Sequence, residues 1–166
     1  QMYFSPRDLA THVAFVRASE PVRLAAAGAT LPVVGAAPAA PLSAAEQTRF
    51  TAGRELYQTI CVSCHQPDGL GADKVAASIV GSPLALGAPS VPARILLQGK
   101  QGTVGLMPAL GASLSDEQIA SVLTYIRREW GHTSRAVDPA VLAEARTATR
   151  GRTRPWTPAE LDALPR

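Results

Sequence analysis

Cys61-Val62-Ser63-Cys64-His65 holds both cysteines of the chain, with a histidine directly after them. Read as a unit, this is the spacing of a covalent haem attachment site. Two thiols three positions apart can add across the two vinyl groups of one haem, and the adjacent imidazole then meets the iron from the proximal side. Cys-x-x-Cys alone also serves zinc sites and thioredoxin-like redox pairs. A structural zinc site needs four ligands, and neither His12 nor His132 stands at finger-like spacing from the motif. A thioredoxin-type pair usually opens a helix after a strand, whereas the residues before Cys61 read as a helix. A plain disulfide between Cys61 and Cys64 is the blandest alternative.

Working outward, Ser43-Ala44-Ala45-Glu46 has the form of a capping box, and a helix is predicted from about Ala44 to Ile60. Phe50, Gly53, Leu56 and Tyr57 recur on one face of it. Gly53 weakens a helix in isolation, so its place on that face predicts a close approach by another helix. Ser115-Asp116-Glu117-Gln118 is a second capping box, followed by an apolar stripe of Ile119, Val122, Leu123, Ile126 and Trp130. Gly131 is placed to end that helix in a left-handed conformation. The stretch between is rich in Gly and Pro, with one short helix predicted from Ser90 or Val91 to Gly99. No alternating strand pattern is evident, so the expected fold class is all-α with long wrapping loops.

A haem iron held by His65 leaves a sixth position, and its occupant decides the chemistry. Met107 is the leading candidate, because Gly105-Leu106-Met107-Pro108 fixes an irregular loop before the last helix. The only other methionine, Met2, lies beyond a linker. A thioether favours ferrous iron more than a second imidazole does and leaves no vacant place for a substrate. The expected task is outer-sphere electron transfer, with no catalytic acid, base or nucleophile. An open or labile sixth position would instead imply a haem sensor or a peroxidase-like protein.

Taken together, the Cys61-to-His65 motif, Asp68-Gly69-Leu70-Gly71, Gly105-Leu106-Met107-Pro108 and the segment from Leu114 through Tyr125 to Trp130-Gly131 resemble the monohaem class I c-type cytochromes. The resemblance covers about residues 43 to 131. It implies a cytochrome c fold, with crossing N- and C-terminal helices around one covalently bound haem c and its iron. Gly53 and Tyr57 would then lie against Tyr125. A periplasmic or otherwise exported location is implied as well, since haem is attached there in bacteria. One departure concerns the support of His65. Many family members place a proline about a dozen residues later, whose carbonyl accepts a hydrogen bond from the imidazole; this chain has Ala77 there. A backbone carbonyl can still do the work, and such contacts orient a ligand.

With 166 residues, the chain accommodates one compact domain plus extensions. Its net charge of +3 is too mild to argue for a nucleic-acid partner. No stretch has the charged start, apolar run and cleavage site of an export signal, so Gln1 is read as a processed or cut end. The expected organisation is a helical extension or upstream remnant at 1–23, an Ala/Pro-rich linker at 24–42, the haem domain at 43–131 and a C-terminal extension at 132–166. The uncharged run from Leu24 to Ala45 contains Pro32, Pro38 and Pro41, which read as a linker and not a membrane span. In the extension, Asp138 to Thr149 is a predicted helix, and Trp156-Thr157-Pro158-Ala159-Glu160-Leu161 looks like an anchored end. Its basic Gly151-Arg152-Thr153-Arg154-Pro155-Trp156 stretch is similar to extensions on cytochrome domains fused to or paired with bacterial quinoprotein or β-propeller dehydrogenases. The implied partners are redox proteins, among them a sugar or alcohol dehydrogenase.

Overall fold

Ser43 starts the first helix by closing its capping box: the Glu46 carboxylate accepts from the Ser43 amide at 2.8 Å, and the Ser43 hydroxyl accepts from the Glu46 amide at 3.4 Å. Helix α1 runs Ala44–Leu56. The computed structural model describes residues 40–164; Met2, His12, the expected unit at 1–23 and most of the 24–42 linker lie outside them. Beyond Leu56 the chain does not unwind. It passes through a π-helical turn, Tyr57–Cys61, in which the Val62 amide donates to the Tyr57 carbonyl, and then into helix α2, Val62–His65. The regular helix is therefore shorter than the expected span to Ile60, but the helical path continues into the cysteine motif.

The second capping box starts α5, Asp116–Arg128. Ile119, Val122, Leu123 and Ile126 of its stripe are buried, each worth roughly 1.5–3 kcal/mol of hydrophobic stabilisation. Gly53 of α1 meets this helix directly: a Cβ there would collide with the Ser121 carbonyl and press on Tyr125. Tyr57 and Phe50 join Tyr125 at centroid distances of 5.2 and 5.4 Å. Helix α5 stops before Trp130. Glu129 is extended, and Trp130 itself adopts φ 52°, followed by Gly131 at φ 79°. Tertiary contacts decide this ending: the Trp130 indole N–H donates to the Pro67 carbonyl at 3.3 Å, and the ring meets Tyr57 and Tyr125 edge-on.

The middle of the chain contributes α3, Pro83–Leu86, and α4, Ser90–Gln98, the latter almost wholly buried. Two strands follow, β1 at Lys100–Gln101 and β2 at Leu106–Met107, paired antiparallel with Lys100 opposite Met107. The all-helical expectation is corrected here to a mostly helical fold with a small two-stranded sheet. Strands of two residues are too short to carry an alternating pattern, so the sequence could not announce them.

After Gly131 the chain packs back. Helix α6, Pro139–Ala148, is capped by Asp138, and α7, Pro158–Asp162, by a Thr157–Glu160 capping box. Val137, Leu142 and Ala145 join the main core, while Trp156 and Leu161 form a second cluster with Val91 and Ile95 of α4. Arg127 is 4% exposed, and its guanidinium donates to the carbonyls of Ala85, Gly87 and Arg135 at 2.8–2.9 Å. Through it, the segment around α3 and the start of the tail are both tied to α5.

Candidate functional site

The Cys61-to-His65 motif sits where α1 has run past its contact with α5, at the wall of a cavity of about 250 Å³. Cys61, Cys64, His65 and Met107 all line this cavity, so two distant stretches of sequence bring their candidate ligands to one space. Aliphatic groups complete it, among them Ile79 and Ile95 from the middle of the chain and Leu123 and Ile126 of α5. At the mouth, Val75, Val104 and Leu106 are exposed.

Both thiols are free, Cys64 exposed and Cys61 partly buried. Burial, with Cys64 as a like-charged neighbour, pushes the Cys61 thiol up to about 11. That is the opposite of the depressed value an activated thiolate needs. His65 is the reverse case. Burial lowers its pKa, the Ala77 carbonyl opposes that shift, and the net result favours the neutral imidazole that a metal requires. His65 Nδ1 lies 3.2 Å from the Ala77 carbonyl. With Nδ1 as the donor, Nε2 is left with its lone pair.

The loop after His65 is built to deliver that carbonyl. The Gly71 amide donates to the His65 carbonyl at 3.0 Å, and the Ala72–Ala76 pair closes a tight turn. Gly71 has φ 77°, and a Cβ there would press into the Ala76 and Ala77 backbone. From the other side, the buried Tyr57 hydroxyl donates to the Gln66 carbonyl at 2.7 Å. His132, the other described histidine, is engaged at both ring nitrogens: Nδ1 lies 2.7 Å from the Ile126 carbonyl, and Nε2 accepts from the Gly81 amide at 3.0 Å.

Met107 is carried by β2 and not by an irregular loop. Its backbone lies on Gly99, the residue that ends α4, where a Cβ would stand 2.6 Å from the Met107 carbonyl. The sequence reading placed Gly99 at the end of that helix, but its contact with the Met107 backbone escaped it. Arg127 escaped it too, because one basic residue in a helix gives no sign of its three carbonyl partners. In mainly aliphatic walls, one neutral imidazole and one soft thioether suit the iron of a porphyrin, and the two thiols suit its covalent attachment.

A family model described as "Cytochrome C oxidase, cbb3-type, subunit III" matches residues 48–126. The fructose dehydrogenase cytochrome subunit of Gluconobacter japonicus is 34% identical over 110 residues, covering 60% of this chain and 23% of that protein. The gluconate 2-dehydrogenase cytochrome c subunit of Pantoea cypripedii is 32% identical over 93 residues, 51% of this chain and 21% of that protein. Cytochrome c-555 of Chlorobaculum tepidum is 33% identical over 78 residues, 45% of this chain and 71% of that protein. The chain thus spans less than a quarter of the dehydrogenase subunits it matches, but most of the small protein.

Proposed function

The chain belongs to the c-type cytochrome family, related to the cytochrome subunits of dehydrogenases, and from that premise we propose that it carries single electrons through one haem c held by Cys61, Cys64, His65 and Met107. The observation that carries this reading is the convergence of those four side chains on one apolar cavity, with His65 oriented by Ala77.

Bound there, the haem supplies a reversible one-electron couple at its iron. The residues divide the rest of the work. Cys61 and Cys64 would hold the group by thioether bonds, each thiol adding across one vinyl. His65 presents Nε2 while Ala77 fixes its ring, and Met107 presents sulfur from β2. Aliphatic walls keep water out, and the apolar mouth at Val75, Val104 and Leu106 offers the short path that outer-sphere transfer needs. We read the contact of α1 with α5 at Gly53 as the helix crossing of the family fold. Residues 43–131 then act as the haem domain and 132–166 as an extension. The location is periplasmic, and the electron passes from a dehydrogenase to a downstream cytochrome or oxidase. The dehydrogenase subunits among the relatives support that partner class.

Absorption spectra of oxidised and reduced protein test the assignment. Low-spin c-type bands and a weak far-red band from sulfur–iron bonding are expected, and Met107→Ala removes the far-red band. Retention of that band in Met107→Ala would rule the methionine out. Rapid carbon monoxide binding by the unmodified reduced protein would point to an open sixth position.

A further inference from the structure

Trp156 lies beyond residues 48–126, the family match, yet its backbone is paired with the segment that carries Met107. The Trp156 amide donates to the Gly99 carbonyl at 3.0 Å, and its carbonyl accepts from the Gln101 amide at 2.8 Å, making a parallel bridge to Lys100. On its other edge, Lys100 pairs with Met107. The short strand β1 is therefore clasped between the tail and the candidate ligand. The side chains repeat the arrangement, since Met107 packs against the cluster of Val91, Ile95, Trp156 and Leu161 as well as against the main core.

Trp156 is itself held firmly. The Arg152 guanidinium stacks 3.7 Å above its ring, a cation–π contact, and its indole N–H donates to Gln98 Oε1 at 3.2 Å. Arg152 in turn donates to Glu160 at 2.8 Å and to the Pro155 carbonyl at 3.0 Å, and Glu160 closes the capping box of α7. A chain of named contacts thus runs from the α7 cap to the strand facing Met107.

We propose that the segment Arg152–Leu161 is a positioning element for the Met107 sulfur, and that Trp156 is its central residue. This rests on the reading of Met107 as an iron ligand. By fixing β1 and one side of the Met107 packing, the tail limits how often that sulfur leaves the iron. A sulfur held this way admits competing ligands slowly, and one released from its brace admits them faster.

The test uses the haem-loaded protein with its tail intact and imidazole binding to the oxidised form. Trp156→Ala should bind imidazole about tenfold faster, the equivalent of losing roughly 1.4 kcal/mol of restraint, and should lose the far-red band on heating before the helical circular dichroism melts. Arg152→Gln keeps the indole but removes its stacking and the Glu160 ion pair; it should move both readouts in the same direction by less, and it covers the case in which Trp156→Ala fails to fold. Leu142→Ala weakens a part of the tail packed in the main core and should lower global stability without speeding imidazole entry. If Trp156→Ala and Arg152→Gln bind imidazole at the unmodified rate, or lose the band only together with the fold, the positioning role is overturned. That result with a far-red band that disappears in Met107→Ala leaves the ligand assignment standing; a band that survives in Met107→Ala overturns both.

Discussion

What Ala77 offers His65 is a backbone carbonyl, which is why alanine serves at a position where a proline would also do. The demand falls on Gly71, whose φ of 77° and missing Cβ let the Ala76–Ala77 backbone close over the loop. Gly71→Ala should cost about 1–3 kcal/mol, from backbone strain and displaced carbonyls, and should alter the iron spectrum as His65 loses its orientation. Thermal unfolding and the far-red band read the two effects separately. Arg127 poses a different demand: three carbonyls converge on one buried guanidinium. Lysine cannot serve all of them, so Arg127→Lys should destabilise by about 1–3 kcal/mol in a denaturant titration. That Cys61, Cys64 and His65 share one cavity wall was legible because they stand within five residues of sequence. Gly71 as a carbonyl gate and Arg127 as a tie were not, because their partners come from elsewhere in the chain.

Elements follow the same division. Capping boxes are local, so Ser43 and Ser115 announced their helices before any contact was known; Ser115→Ala should cost about 1 kcal/mol of stability by thermal melt. The glycine on the apolar face of α1 was equally legible as a close approach, since only a very small residue lets the Ser121 carbonyl come so near. The hairpin of β1 and β2 was not, and neither was the early end of α5, where Trp130 leaves the helix to join Tyr57 and Tyr125. Helix α7 carries a pH dependence. Hydrogen bonds from Arg152 and Thr157 hold the Glu160 carboxyl down to about 2, against an ordinary value of 4.5. A depressed carboxyl adds stability that is fully present above the ordinary value and is lost as pH falls toward the folded one. The near-ultraviolet circular dichroism of the tail should therefore change between about pH 4.5 and pH 2, and Glu160→Gln should flatten that change.

At the scale of the whole molecule, the described residues after Gly131 share the cores of the domain, with Leu142 and Ala145 in one cluster and Trp156 and Leu161 in the other. Sequence alone predicted α6, through Asp138 and Pro139, and an anchored end at Trp156–Leu161 where α7 forms, but not which surface they would cover. That choice depends on apolar residues of α4, which reveal no partner until the chain is folded. The seating of Trp156 beside β1 also bears on solubility. An edge strand with free backbone groups is a template for another chain, and here the tail occupies that edge. Removing residues 151–166 would leave the Gly99 carbonyl and the Gln101 amide unpaired beside uncovered side chains of α4. The shortened protein should self-associate at concentrations where the full chain does not, a difference that sedimentation velocity would register, so the same segment that clasps β1 also keeps neighbouring molecules apart.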